Sequence, residues 1–262
     1  MTRNNSDTVR TAVREHYASA AATPEPRDTC CAPSCCDKET SASLKMGYSA
    51  EDLVNVPEGA DLGLGCGNPQ AMASLVPGET VLDLGAGAGF DSFLAARRVG
   101  PRGQVIGVDM TAEMVAKARN NAVKSGFGNV NFSLGEIEHL PVADSSIDVI
   151  MSNCVINLSP EKQAVFDETF RVLKPGGRLA ISDVVATAPM PEALANSIAA
   201  IAGCIAGAVM VDELKTMLTK AGFTEIEITI SEKSAEFIRE WLPGSGAENY
   251  VVSAIIHAVK AP

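Results

Sequence analysis

The sequence predicts an α/β fold, in which a small helical and loop cover precedes a doubly wound, seven-stranded and mostly parallel sheet. Short apolar segments alternate with segments of helical periodicity, which is typical of a parallel sheet with helices on both faces. The alternating segments are predicted strands 80–84, 104–108, 130–134, 147–152 and 178–183 and predicted helices 90–99, 111–125 and 160–173. A helix at 211–221 and β-rich segments at 224–231 and 249–259 complete the predicted sheet.

Composition changes along the chain divide it into four predicted segments. Residues 6–20 form an amphipathic helix, in which Val9, Val13 and Tyr17 recur every four residues. Prolines and small polar residues then indicate a loop. The four segments are an N-terminal helix with a cysteine-rich flexible loop (1–43), a cover segment carrying Cys66 (44–79), a nucleotide-binding Rossmann-like core (80–190), and a substrate-side helix with Cys204 followed by completion of the sheet (191–262).

The composition restricts the partners and the compartment. The 262 residues are 46% hydrophobic and 20% charged, with a formal net charge of -11. This charge repels phosphates, so we expect neither nucleic acid nor a membrane as partner. No signal peptide is evident, and the apolar stretch 194–211 is interpreted as a buried helix. We expect a cytoplasmic protein whose seven cysteines act as ligands or redox groups, and, without an obvious exposed apolar stripe, a monomer.

Three alternating glycines follow the first predicted strand, in the segment Val81–Gly89. Without side chains, Gly85, Gly87 and Gly89 let the backbone turn sharply into a helix and approach a ligand closely. This pattern predicts a nucleotide site, and the alternative is a glycine-rich turn that binds nothing.

The spacing G-x-G-x-G and two acidic residues favour S-adenosylmethionine as the nucleotide. Dinucleotide folds usually show G-x-G-x-x-G, with a pyrophosphate at the helix amino terminus. Asp83, just before Gly85, would repel a pyrophosphate but can receive the ammonium of an amino acid moiety. Asp109 ends the second strand, where a carboxylate can accept both ribose hydroxyls. Both cationic groups of S-adenosylmethionine suit such a site, and an NAD-dependent oxidoreductase is the weaker alternative.

Four further residues belong to the predicted cofactor site. Met110 follows the second strand. After the third strand, Glu138 can accept the adenine amino group and Ile137 can pack on the ring; alternatively, Glu138 is a solvated helix cap. Asn153 ends the fourth strand, across the topological switch, where the methyl group should point. Together these motifs resemble the class I, Rossmann-like methyltransferases over about residues 75–230, a resemblance that says little about substrate.

Three cysteines occupy informative positions near the predicted methyl group. Cys66 lies in a glycine-rich turn that is expected to expose its sulfur, and Cys154 follows Asn153 directly. Cys204 lies in the small-residue helix expected after strand five. Each has the alternative of being a small buried apolar side chain. The three histidines of the chain are not obviously placed to act as the general base that oxygen and nitrogen methyltransferases often use.

Cysteine in these positions indicates a soft substrate centre. Trivalent arsenic binds up to three thiolates in a pyramid and keeps a lone pair. That lone pair is a nucleophile with no proton to remove, which explains the absence of a base.

Three segments resemble the arsenite methyltransferases: Gly63–Pro69, Ser152–Leu158 and the pair Gly203–Cys204. The resemblance covers nearly the whole chain from about residue 44. Its most specific piece is Ser-Asn-Cys-Val-Ile-Asn-Leu, because a generic methyltransferase needs no cysteine there.

The resemblance implies residue roles. The arsenic-binding, catalytic thiols would be Cys66, Cys154 and Cys204. A further cysteine nearer the amino terminus can form a disulfide with the one matching Cys66, and the candidates are Cys30, Cys31, Cys35 and Cys36, with Cys35 and Cys36 favoured. This cluster could instead capture arsenite and pass it inward, or bind zinc adventitiously.

The predicted activity is methyl transfer from S-adenosylmethionine to arsenite or its thiol conjugates, for arsenic detoxification, supported by a thiol reductant of the thioredoxin or glutathione type. Direct displacement by the arsenic lone pair would depend mainly on proximity and orientation. One alternative is a methyltransferase of a small organic substrate. Another is a thiol-rich metalloid-binding or sensor protein.

Overall fold

The computed structural model describes residues 6–22, 42–195, 197, 200–201, 203–231 and 234–262. The predictions on the cysteine cluster Cys30, Cys31, Cys35 and Cys36 lie outside these residues. Within the described ranges, no helix is both long enough and apolar enough to cross a bilayer.

One seven-stranded sheet forms the centre of the molecule. The strands are β1 (Thr80–Leu84), β2 (Gln104–Asp109), β3 (Val130–Leu134), β4 (Ile147–Asn153), β5 (Leu173–Ala186), β6 (Phe223–Ile230) and β7 (Val251–Lys260). Their order is β3-β2-β1-β4-β5-β7-β6, and every neighbouring pair is parallel except the two that involve β7. The predicted doubly wound, mostly parallel sheet is confirmed.

Helices cover both faces of this sheet. They are α1 (Ser6–Ala22), α2 (Ala42–Lys45), α3 (Ala50–Val54), α4 (Gln70–Ala73), α5 (Phe90–Val99), α6 (Ala112–Ser125), α7 (Lys162–Val172), α8 (Glu192–Ala195), α9 (Val211–Ala221) and α10 (Ser234–Trp241). Successive strand residues point to opposite faces. Val81 therefore packs with α5 and α6, whereas Leu82 packs with α7 and α9. All four of these helices lie close to their predicted ranges.

Strand β5 is longer than the predicted 178–183. Leu173 pairs with Ile147, the register then shifts, and Arg178 pairs with Val149. At its other end β5 continues to Ala186, because β7 pairs with it as far as Val251. The residues between these two pairs thus form an irregularity inside β5.

The predicted helix over 194–211 is wrong at Cys204. The N–H of Cys204 donates to the carbonyl of Ile201, and the N–H of Ile205 donates to that of Ala200. This pair of bonds is a Schellman cap, which ends a helical turn. Cys204 occupies the left-handed position of the cap with φ 61°. Small residues here serve a tight turn, because glycine weakens a helix.

Helix α1 packs beside the carboxyl ends of the strands. Arg10 Nη2 donates to Glu138 Oε1 at 3.1 Å, and Val13 is fully buried. Tyr17 packs against the apolar cluster that contains Cys154 and Cys204. The periodicity of Val9, Val13 and Tyr17 therefore marks the inward face of this helix.

Candidate active site

A cavity of about 650 Å³ opens at the carboxyl ends of β1, β2 and β4. Strand order reverses between β1 and β4, and open α/β sheets bind their ligands at such a switch point. The turn after β1 lines one side of the cavity, and Cys154 and Cys204 line another. Tyr17 of α1 and Trp241 of α10 also reach it.

The turn after β1 brings backbone to the cavity. Gly85 and Gly87 have φ values of 65° and 53°, and both line the cavity. A side chain at Gly85 would collide with Val155, whereas open space lies beside Gly87. Gly89 has a different place: it does not line the cavity and packs against Phe93. Two of the three predicted glycines thus face the ligand space.

Two buried carboxylates, Asp83 and Asp91, lie behind this turn. Asp83 is 3% exposed and accepts a hydrogen bond from Ser92 Oγ at 2.6 Å. Burial, and then the neighbouring charge of Asp91, raises the pKa of Asp83 well above its ordinary value. Among the described residues, no cationic side chain forms an ion pair with either carboxylate. A positively charged ligand group would therefore reduce the electrostatic repulsion between the Asp83 and Asp91 carboxylates.

Asp109 lies at the other side of the turn, at the end of β2. Its two oxygens accept hydrogen bonds from the N–H groups of Gly87 and Thr111, at 2.9 and 2.8 Å. These bonds fix the carboxylate against the cavity that it lines, together with Met110. Burial raises the pKa of Asp109.

Glu138 and Ile137 line the far part of the cavity. Glu138 is only 4% exposed, and its Oε1 accepts hydrogen bonds from Arg10 and from Ser159 Oγ at 2.7 Å. The alternative interpretation of Glu138 as a solvated cap is therefore wrong. The predicted contact of Glu138 with adenine stays a prediction.

The turn that carries Cys66 is packed tightly against the ends of β4 and β5. The N–H of Cys66 donates to Asn153 Oδ1 at 2.9 Å, and its carbonyl accepts from Ser253 Oγ at 2.6 Å. A side chain at Gly67 would collide with Ser182 Oγ. The expected exposure of Cys66 is wrong, because its side chain is 1% exposed. The flanking glycines allow this close approach.

Three thiols that are far apart in the sequence lie together in the fold. Cys66 Sγ, Cys154 Sγ and a carboxylate oxygen of Asp183 lie within 4.8 Å of one another. Cys204 Sγ donates to the carbonyl oxygen of Cys154 at 2.6 Å. We call Cys66, Cys154 and Cys204 the thiol cluster. All three are buried.

Two members of the thiol cluster have unusual backbone conformations. Cys154 has φ 59° and Cys204 has φ 61°. Residues other than glycine and asparagine rarely adopt this left-handed region of φ. Backbone strain of this kind concentrates at functional sites. The two turns direct both side chains toward one point.

A family model described as a methyltransferase domain matches residues 75–222, more than half of the chain. The chain belongs to the methyltransferase domain family. The arsenite methyltransferase of Halobacterium salinarum is 55% identical over 262 residues, which cover 96% of this chain and 66% of that protein. The human arsenite methyltransferase is 40% identical over 171 residues, which cover 60% of this chain and 46% of that protein. The chain thus spans about half to two thirds of the length of these curated relatives.

A crystal structure is similar to this methyltransferase domain over much of its length. It is the arsenic(III) S-adenosylmethionine methyltransferase from Chlamydomonas reinhardtii, with a TM-score of 0.64 and 32% identity, covering 85% of this chain and 74% of that one. The resemblance to arsenite methyltransferases stated from sequence motifs is confirmed by these comparisons.

Several polar residues of this methyltransferase domain lie beside the predicted site but were not predicted from the sequence. Asp183 follows Ser182 in β5 and faces two of the thiols. Tyr48 donates to Asp91, and Asn153 Nδ2 donates to Tyr48 Oη at 2.8 Å. Asp183 carried a usable signal, because it lies in the strand next to the one that ends before Cys154. Tyr48 carried none, since only the fold joins it to β4.

Burial favours the protonated form of two members of the thiol cluster, Cys66 and Cys154, in this methyltransferase domain. Loss of hydration raises the pKa of the Cys66 thiol, and burial together with the neighbouring thiols raises the pKa of Cys154 well above its ordinary value. At neutral pH Cys66 and Cys154 are therefore thiols before any arsenic binds.

We expect the alkylation rates of Cys66 and Cys154 to reflect their raised pKa values. Labelling of Cys66 and Cys154 by iodoacetamide should be slow at neutral pH and should accelerate only at a higher pH than labelling of a solvent-exposed cysteine peptide, because the thiolate is the nucleophile and burial raises the pKa of both thiols. Peptide mass spectrometry across a pH series resolves each cysteine. An inflection at either residue at or below the pH found for the exposed cysteine peptide would contradict the raised pKa of that thiol.

Proposed function

We propose that this chain transfers a methyl group from S-adenosylmethionine to trivalent arsenic bound by the thiol cluster. The observation that carries the proposal is the grouping of the Cys66 and Cys154 sulfurs, with the Cys204 thiol bonded to the Cys154 carbonyl, beside a cavity that Cys154 and Cys204 line. Arsenic detoxification is the role consistent with this activity and with the similarity to arsenite methyltransferases.

The residues around the cavity fit S-adenosylmethionine. The buried pair Asp83 and Asp91 suits its cationic ammonium, and the fixed carboxylate of Asp109 suits the ribose hydroxyls. The open space beside Gly87 admits the amino acid moiety close to backbone. When bound, this molecule supplies an electrophilic sulfonium methyl. The residues proposed to hold it are Asp83, Gly85, Gly87, Asp109, Met110, Ile137, Glu138 and Asn153, with Gly89 acting through packing.

Arsenic capture needs no base in this proposal. Arsenous acid carries three hydroxyls, and exchange with three protein thiols forms three arsenic–sulfur bonds and releases three waters. With a thiol conjugate, each exchange returns one free thiol instead. The protonated thiols expected at neutral pH are therefore competent reactants.

The chain's own contribution is to orient the arsenic and exclude water. Cys66 is held through its backbone by Asn153 and Ser253. Cys154 and Cys204 are held by their left-handed turns. Fixing two reacting centres in this way contributes as much as about 7–11 kcal/mol in well-arranged systems.

The segments of the chain have separate parts in this proposal. The cover segment 44–79 brings Cys66, the core 80–190 binds the cosubstrate, and 191–262 brings Cys204. Cys35 or Cys36, which lie outside the described residues, passes arsenic to the thiol cluster, because each thiol that binds arsenic releases another thiol from it. A thioredoxin or glutathione-type reductant restores the thiols, and the enzyme acts as a cytoplasmic monomer.

The test is incubation with arsenite, a thiol reductant and S-adenosylmethionine, with arsenic speciation by chromatography and elemental mass spectrometry. We expect methylated arsenicals and one S-adenosylhomocysteine for each methyl group transferred, and we expect thiol-blocking reagents to stop both. Tight arsenite binding without S-adenosylhomocysteine would instead indicate a metalloid-binding or sensor protein. Turnover with organic acceptors alone would indicate the small-molecule alternative.

A further inference from the structure

Asp183 is a buried carboxylate that the proposed function does not use. It lies in β5 and is 3% exposed. One of its oxygens lies within 4.8 Å of both Cys66 Sγ and Cys154 Sγ. Any arsenic atom bound by these two sulfurs would lie close to this carboxylate.

Four N–H donors hold the Asp183 carboxylate in place. Oδ1 accepts from Val184 N at 2.7 Å and from Asn157 Nδ2 at 2.9 Å. Oδ2 accepts from Ile156 N at 2.9 Å and from Asn157 N at 3.3 Å. Each oxygen has about two lone-pair directions, so little capacity remains for coordination. Asp183 is therefore a poor arsenic ligand and a rigid one.

The surroundings of Asp183 favour its charged form near neutral pH. Burial raises its pKa to about 6, while the N–H donors and the charge of Lys162 act in the opposite direction. Lys162 is anchored through Nζ to the carbonyl of Ser159 at 2.9 Å. At the pH of the cytoplasm, the carboxylate faces uncharged thiols.

We propose that Asp183 supplies a fixed negative charge that stabilises the positive charge developing on arsenic during methyl transfer. This inference rests on the proposed function. In the step, the arsenic lone pair forms the arsenic–carbon bond while the carbon–sulfur bond of the sulfonium breaks. The bonding pair stays on sulfur, which becomes a neutral thioether. The positive charge therefore moves from sulfur to arsenic, beside Asp183.

A preorganised charge of this kind acts on the rate more than on binding. Arsenic held by three thiolates is neutral, so Asp183 contributes little to its capture. Charge appears on arsenic only as the new bond forms, and interactions present only in the transition state raise the rate. The four donors already point at the carboxylate, so it need not reorganise during the reaction.

The decisive variant is Asp183→Asn, with Asp148→Asn as the matched control. Asp148 lies in β4 and pairs with Lys174 at 2.8 Å, apart from the thiol cluster. We expect Asp183→Asn to lower the single-turnover methylation rate about 100-fold, the lower end of the range for one preorganised electrostatic contact. Arsenite affinity, followed through the single tryptophan Trp241 that lines the cavity, should stay within about threefold, since the bound arsenic is neutral.

A second readout measures the field of Asp183 without arsenic or cosubstrate. The Asp183 charge is one of the causes that raise the Cys66 pKa. Alkylation of Cys66 should therefore reach its half-maximal rate at lower pH in Asp183→Asn and at unchanged pH in Asp148→Asn. In Asp183→Asn the new amide NH₂ group faces N–H donors, which can disturb the local structure. Asp183→Ser therefore serves as a second neutral variant, and thermal unfolding shows whether each variant is folded.

The outcomes are distinguishable. An unshifted Cys66 profile, or a methylation rate within about threefold of the wild type, overturns the inference while leaving the proposed function intact. A rate loss matched by an equal loss of arsenite affinity also overturns it, because Asp183 would then only shape the thiol cluster. A wild-type chain that forms no methylated arsenic overturns the proposed function, and this inference with it.

Discussion

Cys154→Ser is expected to lower arsenite methylation by at least about 1,000-fold, because it removes one of the three attachments whose orienting effect is as large as ~7–11 kcal/mol. Affinity for S-adenosylmethionine should stay within about threefold, since no cosubstrate contact is lost. A serine oxygen is a hard donor, and arsenic prefers sulfur.

The geometry makes Cys154 the most sensitive of the three positions. Its sulfur lies beside that of Cys66, and its carbonyl accepts the hydrogen bond from the Cys204 thiol. Arsenic held only by Cys66 and Cys204 would be free to tilt its lone pair away from the methyl group. The serine side chain suits the buried site by size, so the fold should persist.

Single-turnover methylation with saturating S-adenosylmethionine, and separate calorimetry of cosubstrate binding, check this result. Cys204→Ser is the parallel variant and should show the same division between rate and cosubstrate affinity. Full methylation in both variants would reject the thiol cluster as the arsenic site.

Asp109→Asn is expected to weaken S-adenosylmethionine binding by about 100-fold, because two hydrogen bonds to a charged acceptor contribute roughly 1.5–3 kcal/mol each. Arsenite binding, followed by Trp241 emission, should change little, because Asp109 lies at the cosubstrate end of the cavity. Asp109→Asn should therefore weaken the binding of the cosubstrate alone, whereas Cys154→Ser should impair methylation without weakening cosubstrate binding.

Asp144→Asn is the matched control for this prediction. The Asp144 side chain is 74% exposed and pairs with Arg171. The substitution therefore removes a carboxylate without changing the cavity. Calorimetric titration with S-adenosylhomocysteine avoids turnover. Equal affinities of Asp109→Asn and the control would refute the assignment of Asp109 to the ribose.

Local patterns along the chain predicted most of the sheet. Strand β1 and helix α5 begin and end at their predicted residues, because a buried apolar run and a glycine turn are short-range signals. The failures came where tertiary contacts override propensity. Cys204 lies in an Ala- and Gly-rich stretch that predicts a helix, yet a Schellman cap ends the turn there, and hydrogen bonds with Asn157 and Cys154 fix that turn from a distant segment.

The candidate site shows the same division. Asp83, Gly85, Gly87 and Asp109 form a compact motif around one strand–turn–helix unit and its neighbouring strand, so their approximate positions follow from spacing alone. The burial of Cys66 could not be predicted in this way. A glycine-rich turn is expected to be exposed, and only the packing of Ser182 and Asn153 against this turn buries it.

The order of residues by itself determined the fold class, the nucleotide-facing turn and the identity of three cysteines worth following. Tertiary structure alone decided that the Cys66 and Cys154 sulfurs lie beside Asp183, that the Cys204 thiol reaches the Cys154 carbonyl, and that all three cysteines are buried. Such properties depend on segments that are distant in the chain, 50 residues apart for Cys154 and Cys204 and 87 for Cys66 and Asn153. Burial and electrostatics are set by what packs together rather than by what is adjacent in sequence.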